Sequence, residues 1–166
     1  MRAPKTSLWT GVLMTLYPGI GFSQATFPEV AMDDKAVVME ASDLASALSA
    51  MRAGQLSSGR LLEGGDVFSV TQLHRTAPTA AIHGSLSDLY FVQEGSGTLV
   101  TGGSLVDPRP ASRPGDQQGS SIRGGVEQMV RAGDLVFIPP GMVHGWRNFG
   151  DAHSITYLNF HFPWKK

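Results

Sequence analysis

Five histidines and no cysteine bound the chemistry open to this chain of 166 residues. Without thiols, any metal must be held by imidazole and carboxylate, and no disulfide framework exists. Two stretches gather such groups. His83 lies five residues before Asp88, which opens the apolar run Leu89-Tyr90-Phe91-Val92 and leads into Glu94-Gly95-Ser96-Gly97. A connection of that length can double back and set His83 beside Asp88. The second stretch, Gly133-Asp134-Leu135-Val136-Phe137-Ile138-Pro139-Pro140-Gly141-Met142-Val143-His144, runs from a turn through a buried apolar strand into a tight Pro-Pro-Gly turn and ends on a histidine. That turn delivers His144 to the start of the next strand, where its ring can face inward. Asn148 follows four residues later.

Further polar groups lie along the last strand. Between Ser154 and Phe162 the residues alternate, so that Ile155, Tyr157, Asn159 and His161 share one face and Thr156, Leu158, Phe160 and Phe162 the other. One face is core and the other lines a cavity, which makes Tyr157 and His161 candidates for substrate contact or proton transfer. His153 follows Gly150-Asp151 in a solvated turn. Gln93, Arg123 and Trp146 reach a pocket under one strand parity, and their neighbours do under the other.

The elements that position these groups read as β structure. From Arg60 onward, short segments rich in β-branched and aromatic residues alternate with Gly, Pro, Asp and Ser clusters. Strands are predicted at 60–64, 67–74, 79–83, 88–93, 97–101, 121–123, 126–130, 135–138, 143–148 and 154–162. Ser104 to Ser120 carries three prolines and almost nothing apolar after Val106, the pattern of a surface loop. One sizeable helix is predicted over 42–51, opened by the capping-type Ser42, with Leu44, Leu48 and Met51 on the face that packs against the barrel. The length allows one domain with a real core, and 20 glycines with 10 prolines favour turns over long helices.

The first residues read as an export signal. Arg2 and Lys5 precede an apolar stretch from Leu8 to Tyr17, Pro18-Gly19 breaks it, and Ser23-Gln24-Ala25 supplies the small residues of a cleavage site. The stretch is too short for a membrane anchor. The expected organisation is therefore a signal at 1–25, an extension with a short helix at 26–59 and a barrel at 60–166, in a secreted or periplasmic protein with no membrane contact after cleavage. Formal net charge is −1, from 13 Lys and Arg against 14 Asp and Glu, and cleavage would remove Arg2 and Lys5 to leave −3. With no basic cluster, nucleic acid is not an expected partner.

The second stretch resembles the second motif of the cupin superfamily at Gly133, Pro139, Gly141, His144 and Asn148. The first is similar to the first cupin motif, with its strand and closing Gly95 in place, but it departs twice. Most cupins have two histidines one residue apart, where this chain has Ala81 and His83; where they have glutamate, it has Asp88. The resemblance covers roughly residues 60 to 162. It implies an all-β fold, a double-stranded β-helix of the jelly-roll type, with one short N-terminal helix added here. It also implies a divalent transition metal in the barrel mouth, held by His83, Asp88 and His144, a set that suits iron, manganese, nickel or zinc and leaves positions open for substrate. His74, on a neighbouring strand, is a candidate for the fourth place. The function so implied is a metal-dependent enzyme acting on a small organic molecule, of dioxygenase type, with a redox-neutral isomerase, lyase or cyclase close behind. The alternative is a non-catalytic module that captures a small ligand. A homodimer formed through edge strands is the implied assembly.

Overall fold

The computed structural model describes residues 24–31, 36–64 and 68–164. The expected export signal lies outside these residues except for Gln24 and Ala25, which open the first strand. In chain order the elements are β1 (Gln24–Ala31), α1 (Ala41–Ala53), β2 (Ser58–Gly64), β3 (Phe68–Arg75), β4 (Ala81–Ile82), β5 (Leu86–Thr101) and β6 (Ser104–Val106). The chain continues through β7 (Arg109–Pro110), β8 (Gln117–Gln118), β9 (Ser121–Arg123), β10 (Val126–Arg131), β11 (Leu135–Ile138), β12 (His144–Phe149) and β13 (Ile155–Pro163).

The long strand β5 joins two sheets. Its first half pairs with β13 on one side and β11 on the other, in the sheet that continues through β3 and β2 to β1. Its second half pairs with β10 and β12, in the sheet that continues through β4 and β8 to β7. Side chains from both sheets meet in one core that includes Tyr90, Val92, Leu99, Ile138, Trp146 and Tyr157. Two sheets, antiparallel except where β1 runs parallel to β2, closed around a shared interior in this way form the double-stranded β-helix that the cupin resemblance implied.

Sequence pattern splits β5 in two at Glu94-Gly95-Ser96, whereas the structure runs straight through. Gly95 is why. It adopts φ +74°, and a side chain there would bring its Cβ within 2.2 Å of the Ser154 carbonyl oxygen. Glycine therefore lets the strand bend and cross β13 closely, without ending its ladder.

The helix lies against the outer face of the first sheet. Ala47, Leu48 and Met51 are buried, and Ala47 packs with Leu61 and Val70, flanked by Leu44, Leu158 and Phe160. The face predicted from Leu44, Leu48 and Met51 is the one that packs. The start differs: Glu40, not Ser42, is the N-cap, because Asp43 at N3 accepts from the Glu40 backbone at 3.0 Å and completes a reciprocal capping box. The stretch 104–120 lies at the surface as expected, with Asp116 its one buried residue, but it is not all loop. It contributes β6, β7 and β8, and β8 pairs with β4, which presses the segment onto the barrel beside His83. The cause is backbone pairing, which hydropathy does not record.

Candidate metal centre

Two register pairs build the mouth of the barrel. In the first sheet Asp88 of β5 stands opposite His161 of β13; in the second, Ala81 of β4 stands opposite His144 of β12. His83 follows β4 directly. The Pro-Pro-Gly turn then locks the two motifs together, because the Gly141 N–H donates to the His83 carbonyl at 2.8 Å. Gly145 allows β12 to sit close enough to do this: a Cβ there would lie 1.9 Å from the Thr79 carbonyl oxygen.

These constraints converge on Asp88, whose side chain is 1% exposed. The Nε2 of His83 lies 3.8 Å from its Oδ1, and the Nε2 of His144 lies 3.7 Å from its Oδ2. Ligand atoms of His83, Asp88 and His144 all fall within 4.8 Å of one another. Both rings are fixed from behind. His144 Nδ1 is 3.0 Å from the Met142 carbonyl, and His83 Nδ1 is 2.8 Å from Asp116 Oδ2. A carbonyl and a carboxylate only accept, so each Nδ1 carries the hydrogen and each Nε2 turns a lone pair toward the mouth. That is how metal-ligating histidines are held.

Asp88 fits a cation on a second count. Its Oδ1 accepts from Asn159 Nδ2 at 2.9 Å, but its Oδ2 is buried with no hydrogen-bond partner. A buried carboxylate oxygen without a donor is costly unless a cation or proton serves it. Burial alone would push the Asp88 carboxyl up. The His161 hydrogen bond and the surrounding His144, His83 and His161 imidazoles outweigh that and hold it below the usual carboxylate range. Burial drives His144 the opposite way, below the ordinary imidazole value and towards its neutral form, although Asp88 and the Met142 carbonyl oppose the shift. Neutral imidazole and ionised carboxylate are the forms that bind metal.

Beneath the mouth is an aromatic floor. Tyr90 lies 6.4 Å from the His144 ring and 4.6 Å from that of Tyr157, and Trp146 Nε1 donates to the Tyr157 hydroxyl at 3.1 Å. Burial, then the charge of Asp88, raises the Tyr90 phenol well above its ordinary value, so it stays protonated.

The structure thus brings His83, Asp88, His144 and His161 together and sets Tyr157 lower, in the buried core. The inward face of β13 is the one carrying Ile155, Tyr157, Asn159 and His161. His74 does not reach the site. It projects from the opposite face of β3, where its Nδ1 lies 2.9 Å from Thr156 Oγ1 beside the end of α1. Residue parity decides this, since Leu73 points into the core and His74 therefore points away. Trp146 faces inward, whereas Gln93 bonds to Gln72 at 2.9 Å and Arg123 is exposed. Two site residues went unpredicted. Asn159 was visible as a polar residue on the inward face of β13. Asp116, in a stretch of Gly, Pro and polar residues, carried no such signal.

No family model matches the chain, and no curated protein matches its sequence. Solved structures do resemble it. A Bacillus halodurans protein shares 18% identity at a TM-score of 0.46, over 71% of this chain and 78% of its own. A conserved Klebsiella pneumoniae protein with a double-stranded β-helix domain shares 20% identity at 0.45, over 63% and 69%. The DMSP lyase DddQ from Ruegeria pomeroyi shares 14% identity at 0.48, over 78% and 66%. With Gly133, Pro139, Gly141 and His144 in their motif places and both sheets closed through β5, this chain has the cupin fold.

Proposed function

We propose that the protein is a metal-dependent enzyme acting on a small organic molecule, with His83, Asp88 and His144 as metal ligands and a dioxygenase-type reaction. The observation that supports it most is the paired anchoring of His83 and His144, whose Nδ1 atoms are tied back so that both Nε2 atoms face one buried carboxylate. Two imidazoles and a carboxylate with open positions form the set that non-haem iron oxygenases use. A bound divalent metal, whether iron, manganese, nickel or zinc, would supply Lewis acidity and, as iron, oxygen activation.

The remaining residues shape the space around it. Asp116 and the Met142 carbonyl orient the imidazoles. Tyr90, Trp146 and Tyr157 close the barrel below and exclude water from the floor. Of the two residues expected to touch substrate, His161 stands at the mouth and Tyr157 supports the floor through its bond from Trp146. The N-terminal signal pattern supports a secreted or periplasmic location. A homodimer is supported by the apolar surface where Leu135 stands opposite Phe91 and Phe137 packs 5.4 Å from Trp164, on and beside the edge strand β11.

Elemental analysis tests the reading directly. Protein purified without chelator should carry about one equivalent of a transition metal, and a His83→Ala, His144→Ala double variant should carry none. Oxygen consumption during turnover of small organic substrates by the loaded protein supports the dioxygenase; turnover without it points to the redox-neutral isomerase, lyase or cyclase. No metal in either protein, even after reconstitution, would overturn the enzyme reading in favour of a ligand-capturing module.

A further inference from the structure

We propose that His161 is a fourth protein ligand of the same site, completing a set of three imidazoles and one carboxylate. The proposal rests on the metal-centre reading above. The place that a second histidine would fill in the first motif belongs to Ala81, whose methyl group cannot coordinate. His161 enters the mouth from the other sheet, directly across from Asp88 in the β5–β13 register.

With Asp88 ionised and the rings as placed, the atoms around His161 are satisfied by a cation between them. Its Nε2 lies 2.7 Å from Asp88 Oδ1 and 2.9 Å from Asn159 Nδ2, while Asn159 Nδ2 also donates to Asp88 Oδ1 at 2.9 Å. If Nε2 carries a hydrogen, it gives it to Asp88 but meets the Asn159 amide donor to donor. If Nε2 is bare, it faces the carboxylate lone pair to lone pair. Turning the Asn159 amide over does not help, because its carbonyl oxygen would then face Asp88 Oδ1, acceptor to acceptor. A cation shared by a bare Nε2 and Oδ1 removes the conflict and leaves Asn159 free to hold the carboxylate.

The spacings agree. Atoms about 2.0 to 2.2 Å from one ion stand roughly 3.0 Å apart when adjacent and about 4.2 Å apart when opposite. Of the distances to Asp88 oxygens, 3.7 Å from His144 and 3.8 Å from His83 fall inside that range, and 2.7 Å from His161 lies a few tenths of an ångström below it. The ring of His161 lies 5.0 Å from that of His83, so the two imidazoles flank the same space.

The test counts imidazoles. X-ray absorption of the Zn²⁺-loaded protein should show outer-shell scattering from three imidazoles, falling to two in His161→Gln, whose amide can still donate to Asp88. Zn²⁺ affinity, measured by competition with a chromophoric chelator, should fall at least about 100-fold in that variant, since losing even an outer partner of a ligand costs about 10- to 100-fold. Thermal melting of the metal-free forms checks that both are folded. Two imidazoles in the parent, or an affinity unchanged in the folded variant, would overturn the assignment of His161 while leaving the His83, Asp88 and His144 site standing. No Zn²⁺ binding by the parent would overturn both.

Discussion

Asp116→Asn should weaken metal binding more than its conservative size suggests. Asp116 is 6% exposed and makes two bonds: Oδ2 accepts from His83 Nδ1 at 2.8 Å and Oδ1 from the Gly84 N–H at 3.0 Å. Asparagine can keep the second bond by pointing its oxygen at Gly84, and its amide nitrogen then faces His83 Nδ1. Since that nitrogen only donates, Nδ1 must accept, and the ring hydrogen moves to Nε2, where it covers the lone pair a metal needs. The variant is therefore folded but holds His83 in the wrong tautomer. Losing such an outer partner costs about 10- to 100-fold in metal affinity, or roughly 1.4 to 2.7 kcal/mol. Competition for Zn²⁺ against a chromophoric chelator reads the loss, with urea unfolding of the metal-free proteins as the control for stability. Asp116→Ala should lose less, because water can replace the carboxylate and leave the tautomer free to choose. An Asp116→Asn protein that folds normally and binds Zn²⁺ within about threefold of the parent would refute the tautomer argument.

Four further outcomes are expected. His144→Ala should bind no transition metal by elemental analysis yet retain its far-ultraviolet circular dichroism, because a ligand at the mouth carries little of the core. Gly145→Ala should destabilise by about 3 kcal/mol in urea unfolding or fail to fold, since its Cβ would collide with the Thr79 carbonyl at 1.9 Å. Tyr157→Phe should cost about 1 to 3 kcal/mol by the same measurement, because it strands the buried Trp146 N–H, while Zn²⁺ affinity stays at the parent value. Burial foremost depresses both His144 and His74 below 6.5, so in chelator-treated protein the unfolded chain takes up more protons than the folded one below that pH. Stability is then full above about pH 6.5 and declines on acidification, as urea midpoints at about pH 7.5 and 5.5 should show, with a smaller decline in His74→Gln.

The parts of this molecule that follow local rules were legible in its sequence. The Pro-Pro-Gly turn fixes where His144 emerges, period-two alternation puts Asn159 and His161 on one face of β13, and the helical spacing of Leu44, Leu48 and Met51 names the packing face of α1. What escaped depends on pairing between distant segments. Nothing near Asp116 announces it as a partner of His83, because the β4–β8 pairing that brings it there joins residues more than thirty positions apart with only two backbone positions each. His74 misled for a related reason: its distance along the chain suits a ligand, but the register of β3 against β13 turns it outward.

Charge balance ties Asp116 to the site more firmly than its hydrogen bond alone. The mouth buries two carboxylates, Asp88 at 1% and Asp116 at 6% exposure, among imidazoles. Two uncompensated negative charges in that setting would cost several kcal/mol each, so either protons on the rings or a dication must offset them. With both anchored histidines neutral, a divalent ion and two carboxylates sum to zero, whereas a monovalent ion would leave a net negative site and a trivalent one a net positive one. Having Asp rather than Glu at position 88 does not change this sum, but it draws the carboxylate back by one methylene towards the β5 backbone, where Asn159 and His161 contact it. The shortened acid on β5 thus stands directly across from a histidine of β13, which offers the imidazole that Ala81 cannot.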